Sequence, residues 1–274
     1  MEHLAYLLLL LYSPNIQHSV SEIILSEQRV SAASVLMNDS NSIDEIADLN
    51  HVRMDQFAFE DSLQNLYDAI GLVNYDLSYE VFKYGMIGYF SLRQDGKLSD
   101  KKLISIIDFT KSSSKKRFYT IDLEKLRVKY HTYVSHGKNT GADLAKEFSN
   151  TVQSNQSSLG FYVTAETYIG SKGYSLKLDG VEKGYNDNLR KRAVVMHNAE
   201  YVSEYWIKQY GRLGRSQGCP ALPKDVAREI INCIKDRTAI FAYYNDKTYL
   251  SSSSYLNLDM VLAQNMVTAA TLGE

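Results

Sequence analysis

A cysteine and a histidine in this chain have the residue types and the settings needed for thiolate chemistry. Cys219 closes the stretch Ser216-Gln217-Gly218-Cys219, and His197 closes an apolar run that begins at Ala193. A thiolate is a strong nucleophile, and a nearby imidazole takes the thiol proton and holds it as an ion pair. The glycine before the cysteine lets the backbone turn tightly and lets a substrate come close. The sequence therefore predicts Cys219 as a nucleophile and His197 as its base.

Two sequence elements are expected to position this pair. The run from Ala193 to Met196 is typical of a short buried strand that delivers His197 at its C-terminal end. After the cysteine, Pro223 stands where a helix is expected to begin, because the first helical position tolerates the missing N–H of proline. Cys219 would then lie in a turn just before a helix N-terminus, where the partial positive charge favours the thiolate.

The second cysteine, Cys233, falls on the apolar face of that predicted helix with Val226, Ile230 and Ile234. Free cysteine is among the most buried residue types, so Cys233 is interpreted as a small core residue. The alternative, in an exported protein, is a disulfide with Cys219. A helix of about ten residues carries Cys233 about 15 Å from its start. Because a disulfide needs α-carbons within about 7 Å, we expect two free thiols.

The arrangement of these motifs resembles the catalytic domain of the L,D-transpeptidases of the YkuD type, in which a His is followed downstream by Ser-x-Gly-Cys. It is most similar to a murein L,D-transpeptidase branch in which Pro-Ala follows the cysteine, here Pro220 and Ala221. The tetrapeptide alone is a weak signal, but further blocks between roughly residues 65 and 250 accompany it. They are Tyr133-Val134-Ser135-His136-Gly137, Phe148-Ser149-Asn150, Ser157-Ser158-Leu159-Gly160-Phe161-Tyr162, Ser175-Leu176-Lys177-Leu178-Asp179-Gly180 and Tyr201-Val202-Ser203-Glu204.

The resemblance implies a fold and a reaction. The fold is mainly β with α, a β-sandwich-like catalytic domain with N-terminal helices packed on it. The substrate class is the stem tetrapeptide of peptidoglycan, which Cys219 attacks at the carbonyl between an L-centre and a D-centre. A terminal D-alanine leaves, protonated by His197, and the thioester passes to an amine. Two alternatives stay open: a hydrolase in which water resolves the thioester, and a wall-binding module without turnover.

The resemblance also implies supporting site residues. Ser216 supports the site through its hydroxyl, and the backbone N–H groups of Gly218 and Cys219 are expected to form an oxyanion hole. The wider family carries an Arg just after the cysteine that suits substrate carboxylates, and here this function is either supplied by Arg212 or Arg215 or absent. Gln217 and His136 are expected to border the substrate cleft. Asn198 stands where the family has Gly, and its side chain is expected to narrow the approach to the imidazole.

The pattern along the chain predicts five segments: a signal peptide at 1–21, a polar linker at 22–54, a helical segment at 55–100, the catalytic domain at 101–250 and a tail at 251–274. The apolar run Leu4–Leu11 is too short to span a bilayer and suits a secretory signal, which predicts export to the periplasm or cell envelope. Gly71 is expected to stop a first helix, and Ser78 to cap a second. Period-two or apolar runs predict strands at 104–109, 117–122, 128–134, 161–166, 174–178, 193–196 and 238–244.

Composition narrows the function classes. An apolar fraction of 45% and a charged fraction of 23% are those of a globular protein, and the net charge of −2 argues against nucleic acid as a partner. No second Cys or His stands at metal-ligand spacing from the catalytic pair, so no cofactor is predicted. A papain-like protease is disfavoured because its cysteine precedes its histidine in the chain, whereas His197 comes first here.

Overall fold

The computed structural model describes residues 56–262, so the segments 1–21 and 22–54 and residues 263–274 of the tail lie outside the described residues. The chain divides into two compact units. One is the continuous span Ile70–Asn257, and the described part of the other consists of residues 56–69 and 258–262. Within the described residues, no helix is long and apolar enough to cross a membrane.

Two amphipathic helices come first, as predicted. Helix α1 covers residues 56–70, buries Phe59, Leu63 and Leu66 completely and ends before Gly71, which has a φ of 71°. Helix α2 covers Tyr79–Gln94, and the Ser78 side chain caps it by accepting a hydrogen bond from the Val81 N–H.

Helix α2 packs on the sheet through two glycines. A Cβ added at Gly88 would lie 1.9 Å from the Phe161 ring, and one added at Gly85 would lie 3.0 Å from the Ile106 side chain. The absence of side chains at these two positions therefore lets the helix approach the strands closely, and the expected packing of a helix on the sheet is confirmed.

The eight strands of the described residues form one mixed sheet. They are β1 Leu103–Asp108, β2 Phe118–Asp122, β3 Arg127–Thr132, β4 Gly160–Gly170, β5 Gly173–Gly180, β6 Val195–Asn198, β7 Ala221–Leu222 and β8 Ala239–Tyr243. Their order is β3-β2-β1-β8-β4-β5-β6-β7. The pairs β1–β8 and β6–β7 are parallel, and the other neighbours are antiparallel. The mainly β architecture with α-helices is that expected from the sequence.

The two ends of the sheet meet next to the cysteine. The chain leaving β3 forms an antiparallel bridge from Ser135 to Ala221 of β7, in which the Ser135 N–H donates to the Ala221 carbonyl at 2.9 Å. A second, parallel bridge joins Gly137 to Ser216. The sheet therefore curls on itself, and the segment that carries Cys219 is held at the junction.

A helix covers the inside of the curled sheet. Helix α4, Ala227–Ile234, buries Ile230, Ile231 and Ile234 in one apolar cluster with Leu176 of β5 and Met196 of β6. The remaining α-helices of the described residues are α3, Glu204–Tyr210, α5, Lys247–Ser252, and α6, which begins at residue 258. The apolar core thus lies directly behind β6, the strand that carries His197.

The predicted start of the helix after the cysteine is wrong. Helix α4 begins at Ala227, with Pro223 four residues earlier, and the strand β7 lies between Cys219 and the helix. The residues after the cysteine are extended because they pair with β6, with Ala221 opposite His197 and Leu222 opposite Asn198. Cys219 therefore does not stand at a helix N-terminus, and the expected help of the helix dipole is absent.

Candidate active site

Cys219 lies beside the strand that carries His197. Since Ala221 pairs with His197 in a parallel register, Cys219, two residues before Ala221, falls opposite Val195. Cys219 is thus offset from His197 by about 7 Å along the strand. The thiol accepts a hydrogen bond from the Val195 N–H at 3.5 Å and donates to the Ala193 carbonyl at 3.9 Å. The contacts of the described residues include no hydrogen bond between the thiol and the imidazole. Such bonds are often long before substrate binds.

The imidazole of His197 has a defined tautomer. Its Nδ1 lies 2.7 Å from the Asn198 carbonyl oxygen, which only accepts, so Nδ1 carries the proton and Nε2 is left as the basic nitrogen. Burial lowers the pKa of His197, the bond to Asn198 raises it in part, and the charge of Lys172 lowers it further. Neutral imidazole is therefore the resting form at neutral pH, as a general base requires.

Burial is also the largest influence on the thiol, and it raises the pKa of Cys219. The Val195 N–H, Arg192 and Lys172 act in the opposite direction and lower it. A raised thiol pKa and a lowered imidazole pKa both favour the neutral pair. The resting pair is therefore thiol and imidazole rather than the expected ion pair.

Ser216 shapes the turn before the cysteine. Its hydroxyl donates to the Cys219 carbonyl at 2.6 Å and accepts from the Gly218 N–H at 3.0 Å. The hydroxyl is thus fully used within the turn and supports the site through the backbone. The Gly218 N–H is occupied as well, so the expected two-donor oxyanion hole is reduced to the Cys219 N–H, which has no acceptor among the described residues.

Neighbouring loops hold this turn in place. The Ser216 N–H donates to the His136 carbonyl at 2.9 Å, and the Ser157 hydroxyl donates to the Gly218 carbonyl at 3.4 Å. Gly218 has a φ of 118°, and a Cβ there would lie 2.8 Å from the Gln156 carbonyl oxygen. A Cβ added at Gly137 would lie 3.0 Å from the Gly218 Cα, so Gly137 also packs closely against this turn. The position before the cysteine therefore requires glycine for both its conformation and its surroundings.

His136 does not border the cleft as expected. It is completely buried, its Nδ1 accepts a hydrogen bond from Arg117 at 2.8 Å, and its Nε2 donates to the Gly141 carbonyl at 3.3 Å. Burial, followed by the charge of Arg117, lowers the pKa of His136 to about 4. No ring nitrogen remains for a substrate. The contribution of His136 is its backbone carbonyl, which holds Ser216.

The two arginines expected to bind substrate are turned elsewhere. Arg215 donates to the Lys138 and Gly141 carbonyls, both at 3.0 Å, and Arg212 donates to the Leu213 carbonyl at 2.7 Å. Gln217 is exposed beside the cysteine, and its side chain has no hydrogen-bond partner among the described residues. Of these three predicted substrate-binding side chains, Gln217 makes no hydrogen bond within the described residues, while each arginine keeps further N–H donors besides those that bind carbonyls.

Arg192 is a cation near the thiol that the sequence analysis did not single out. Its guanidinium donates to the Ser149 carbonyl, the Ser158 hydroxyl, the Ser154 hydroxyl and the Gln156 carbonyl. Its charge lowers the pKa of Cys219. The available signal was its place in a basic run, Arg190 to Arg192, immediately before the strand of the base. A basic run alone is usually a solvated surface, and nothing local shows that one member turns inward.

Two more side chains approach the site. Tyr201 is partly buried, and burial together with the charge of Cys219 raises its pKa to about 12. The neighbouring Ser135 hydroxyl acts in the opposite direction and lowers that pKa. Lys172 stands at the turn between β4 and β5, where its carbonyl accepts from the Asn198 side chain at 3.5 Å. The Asn198 side chain therefore points to this turn, and the expected narrowing over the imidazole is not observed.

The described residues contain no group of three or more His, Cys, Asp or Glu side chains that suits a metal.

A family model described as L,D-transpeptidase catalytic domain matches residues 73–243, and the chain belongs to this family. No curated protein matches the sequence.

Solved structures of low sequence identity also match. An L,D-transpeptidase from Mycobacterium smegmatis is 12% identical with a TM-score of 0.34, and the match covers 52% of this chain and 59% of that one. The helical cell shape determining protein Pgp2 from Campylobacter jejuni is 14% identical with a TM-score of 0.40, over 68% of this chain and 63% of that one. An L,D-transpeptidase from Stackebrandtia nassauensis is 13% identical with a TM-score of 0.31, over 68% and 78%. The match thus spans about three fifths of the mycobacterial chains.

Proposed function

We propose that this protein is a peptidoglycan L,D-transpeptidase-like cysteine acyltransferase that acts on stem tetrapeptides through a thioester on Cys219. The observation that carries the proposal is the thiol of Cys219 in a pinned turn, beside the parallel strand that presents a neutral His197. Membership of the L,D-transpeptidase catalytic domain family supports the substrate class. The reaction needs no group beyond the side chains and backbone of the site.

The proposed reaction has two halves. As the Cys219 sulfur attacks the carbonyl between the L-centre and the D-centre, His197 Nε2 takes the thiol proton, and the Cys219 N–H stabilises the oxyanion. The C–N bond then breaks, the imidazolium gives its proton to the leaving D-alanine, and a thioester remains. An acceptor amine attacks the thioester, His197 removes the proton of that amine, and the same proton returns to the sulfur as the new amide leaves. Hydrolysis follows the same path with water as the acceptor.

The proposal extends to location and layout. We infer export to the periplasm or cell envelope, with a signal peptide at 1–21, a linker at 22–54, a helical segment at 55–100, the catalytic domain at 101–250 and a tail at 251–274. The apolar run Leu4–Leu11 supports the signal peptide. A wall-directed enzyme also has to reach the wall.

A single assay tests the reaction. The purified protein is incubated with a synthetic stem tetrapeptide, with and without an acceptor amine, and the products are identified by mass spectrometry. We expect release of D-alanine with a cross-linked product. Loss of D-alanine to give only the tripeptide acid would assign the protein as a hydrolase. Binding without any product would favour the wall-binding module.

The cysteine variants provide the matched pair for this assay. Cys219→Ala is expected to release no D-alanine while its circular dichroism spectrum stays unchanged, because the residue lies in a turn and contributes little core volume. Cys233→Ala, which removes the other free thiol from the edge of the core, is expected to keep the activity. His197→Asn is expected to slow turnover by about a hundredfold, as for a lost general base. Turnover by Cys219→Ala at the parent rate would refute the mechanism.

A further inference from the structure

The tip of the β4–β5 hairpin lies beside the catalytic histidine. Strand β4 ends at Gly170 and β5 begins at Gly173, so Ser171 and Lys172 form the tip. Strand β5 runs antiparallel to β6 with Ser175 opposite His197, and the Asn198 side chain donates to the Lys172 carbonyl at 3.5 Å. Gly173 has a φ of 75°, which favours glycine and fixes how the chain leaves the tip. The backbone of Lys172 is thus hydrogen-bonded to the side chain of the residue that follows the base.

The ammonium group of Lys172 is available to a ligand, whereas the guanidinium groups of Arg192 and Arg215 are hydrogen-bonded to backbone carbonyls. The Arg192 guanidinium makes four hydrogen bonds to the protein, and Arg215 is held by two carbonyls. Lys172 is exposed, and its ammonium makes no hydrogen bond or ion pair with any residue between 56 and 262. Its charge nevertheless acts on both members of the catalytic pair and lowers the pKa of His197 and of Cys219.

An exposed cation whose charge acts on both Cys219 and His197 suits an anionic substrate. A stem tetrapeptide donor carries one carboxylate on the D-residue that leaves and can carry a second on the side chain of its diamino acid. Either lies close to the scissile carbonyl, and a charge-assisted hydrogen bond from an ammonium would both orient the donor and attract it. A carboxylate is therefore the ligand chemistry that the hairpin tip can recognise.

We propose that Lys172 binds a carboxylate of the donor peptide next to the scissile bond and so takes the role expected of an arginine after the cysteine. This inference rests on the proposed function. It makes Lys172 a specificity-determining residue of the donor site. The leaving D-residue and the diamino acid side chain are the two sources of the carboxylate, and the experiment separates them.

The test compares three donors and four proteins. The donors are the parent tetrapeptide, the same peptide with its C-terminal carboxylate amidated, and the same peptide with the diamino acid side-chain carboxylate amidated. The proteins are the parent, Lys172→Gln, Lys172→Arg and Lys183→Gln, where Lys183 is an exposed lysine in the loop after β5. The readout is kcat/KM for D-residue release from each donor.

The parent is expected to lose about tenfold in kcat/KM when the recognised carboxylate is amidated, the effect of one charge-assisted hydrogen bond. Lys172→Gln is expected to show that loss already with the parent donor and to treat the acid and the amide alike. Lys172→Arg is expected to restore most of the discrimination, and Lys183→Gln to match the parent. The amidated donor that shows the loss identifies the carboxylate.

A binding measurement separates this inference from the proposed reaction. Calorimetric affinities of the same donors are measured for Cys219→Ala with and without Lys172→Gln, so that no turnover is needed. Equal discrimination between acid and amide with and without Lys172, or no discrimination in the parent, would overturn the inference even in an active enzyme. Preferential binding of the acid without turnover by the parent would leave the Lys172 site standing and refute the proposed reaction.

Discussion

At the scale of single residues, the site is a neutral cysteine–histidine pair. Burial raises the pKa of the Cys219 thiol and lowers that of the His197 imidazole, so both shifts move the pair away from thiolate and imidazolium. Two cations, Arg192 and Lys172, lower the thiol pKa but do not outweigh burial. In the proposed reaction, the thiolate is therefore generated by proton transfer to His197 during attack and is not present in the resting pair.

This protonation state predicts the pH dependence of the reaction. The acid limb of kcat/KM reports deprotonation of the free His197, whose pKa lies below the usual value of 6.5, so activity is expected to persist below pH 6.5. The alkaline limb reports loss of the second proton of the pair and is expected above pH 9, because the thiol pKa is raised from 9.0. The two apparent values belong to the pair.

Stopped-time assays of D-alanine release between pH 4.5 and 10 measure these limbs. Lys172→Gln is a useful comparison, because removing its charge is expected to move both limbs to higher pH. An acid limb above pH 7 in the parent would show that the imidazole is not held in its neutral form, and would contradict the assignment of His197 as the base in this environment.

At the scale of elements, the catalytic turn depends on a loop that precedes it by many residues. Arg192 leads into β6 and its guanidinium gathers the carbonyls of Ser149 and Gln156 with the hydroxyls of Ser154 and Ser158. The same loop lies against Gly218, whose Cα hydrogen faces the Gln156 carbonyl. The Arg192 side chain thereby links β6, which carries His197, to the loop 149–158 and to the turn at Gly218 that precedes Cys219.

Arg192→Met is expected to affect stability and the thiol together. It leaves the Gln156 carbonyl without a partner, while the Ser149 carbonyl keeps the Ser158 hydroxyl, and it removes a charge that lowers the thiol pKa. We expect a loss of about 2 kcal/mol in the free energy of unfolding and a higher pKa for Cys219. Arg192→Lys keeps the charge and is expected to keep the thiol pKa closer to the parent. Urea denaturation and the pH dependence of alkylation, in a Cys233→Ala background, measure the two effects.

The neighbouring exposed residue supplies the control for this prediction. Lys191→Met removes a charge one position away that points to solvent, and both quantities are expected to stay at the parent values. If Arg192→Met left the stability and the thiol pKa unchanged, the guanidinium would have no part in organising the site.

The same elements show how far the sequence leads. The helices at 56–70 and α2 were predictable because their apolar periodicity and the Ser78 cap are local signals. The strand β7 and the late start of α4 were not, because two extended residues carry no periodicity and their conformation comes from pairing with β6. Cys219 and His197 stand out by residue type and motif. Arg192 and Lys172 do not, because their roles arise from contacts between segments distant in the chain.

At the scale of the whole molecule, a buried cation sits behind the catalytic turn. Arg117 is completely buried and donates to the Val134 and Lys111 carbonyls and to His136, and its guanidinium lies 5.2 Å from the Phe109 ring centroid. Two buried carboxyl groups elsewhere, Asp108 and Glu182, have pKa values raised chiefly by burial. The stability of this unit of the fold is thus linked to pH through several groups at once.

The His136 imidazole makes a definable part of that linkage. Its pKa is about 4 in the folded protein and 6.5 when unperturbed, so between these values the unfolded chain binds more protons. The stability contributed by neutral His136 is fully present above pH 6.5 and is lost as the pH falls toward 4. Between pH 7 and pH 5 the expected loss from this group is about 2 kcal/mol.

His136→Asn isolates this contribution, because an Asn oxygen can accept from Arg117 in place of Nδ1 but does not titrate. Urea denaturation at pH 7, 6 and 5 is expected to show a flatter pH dependence for the variant than for the parent, by about 2 kcal/mol over the range. Asp108 and Glu182 titrate in both proteins, so their effects cancel in the difference. His131→Asn, at a partly exposed histidine, is expected to change the slope less. Equal slopes for His136→Asn and the parent would contradict this prediction, because they would mean that buried His136 takes up a proton as readily as it does in the unfolded chain. The hydrogen bond that Nδ1 accepts from Arg117 opposes that protonation.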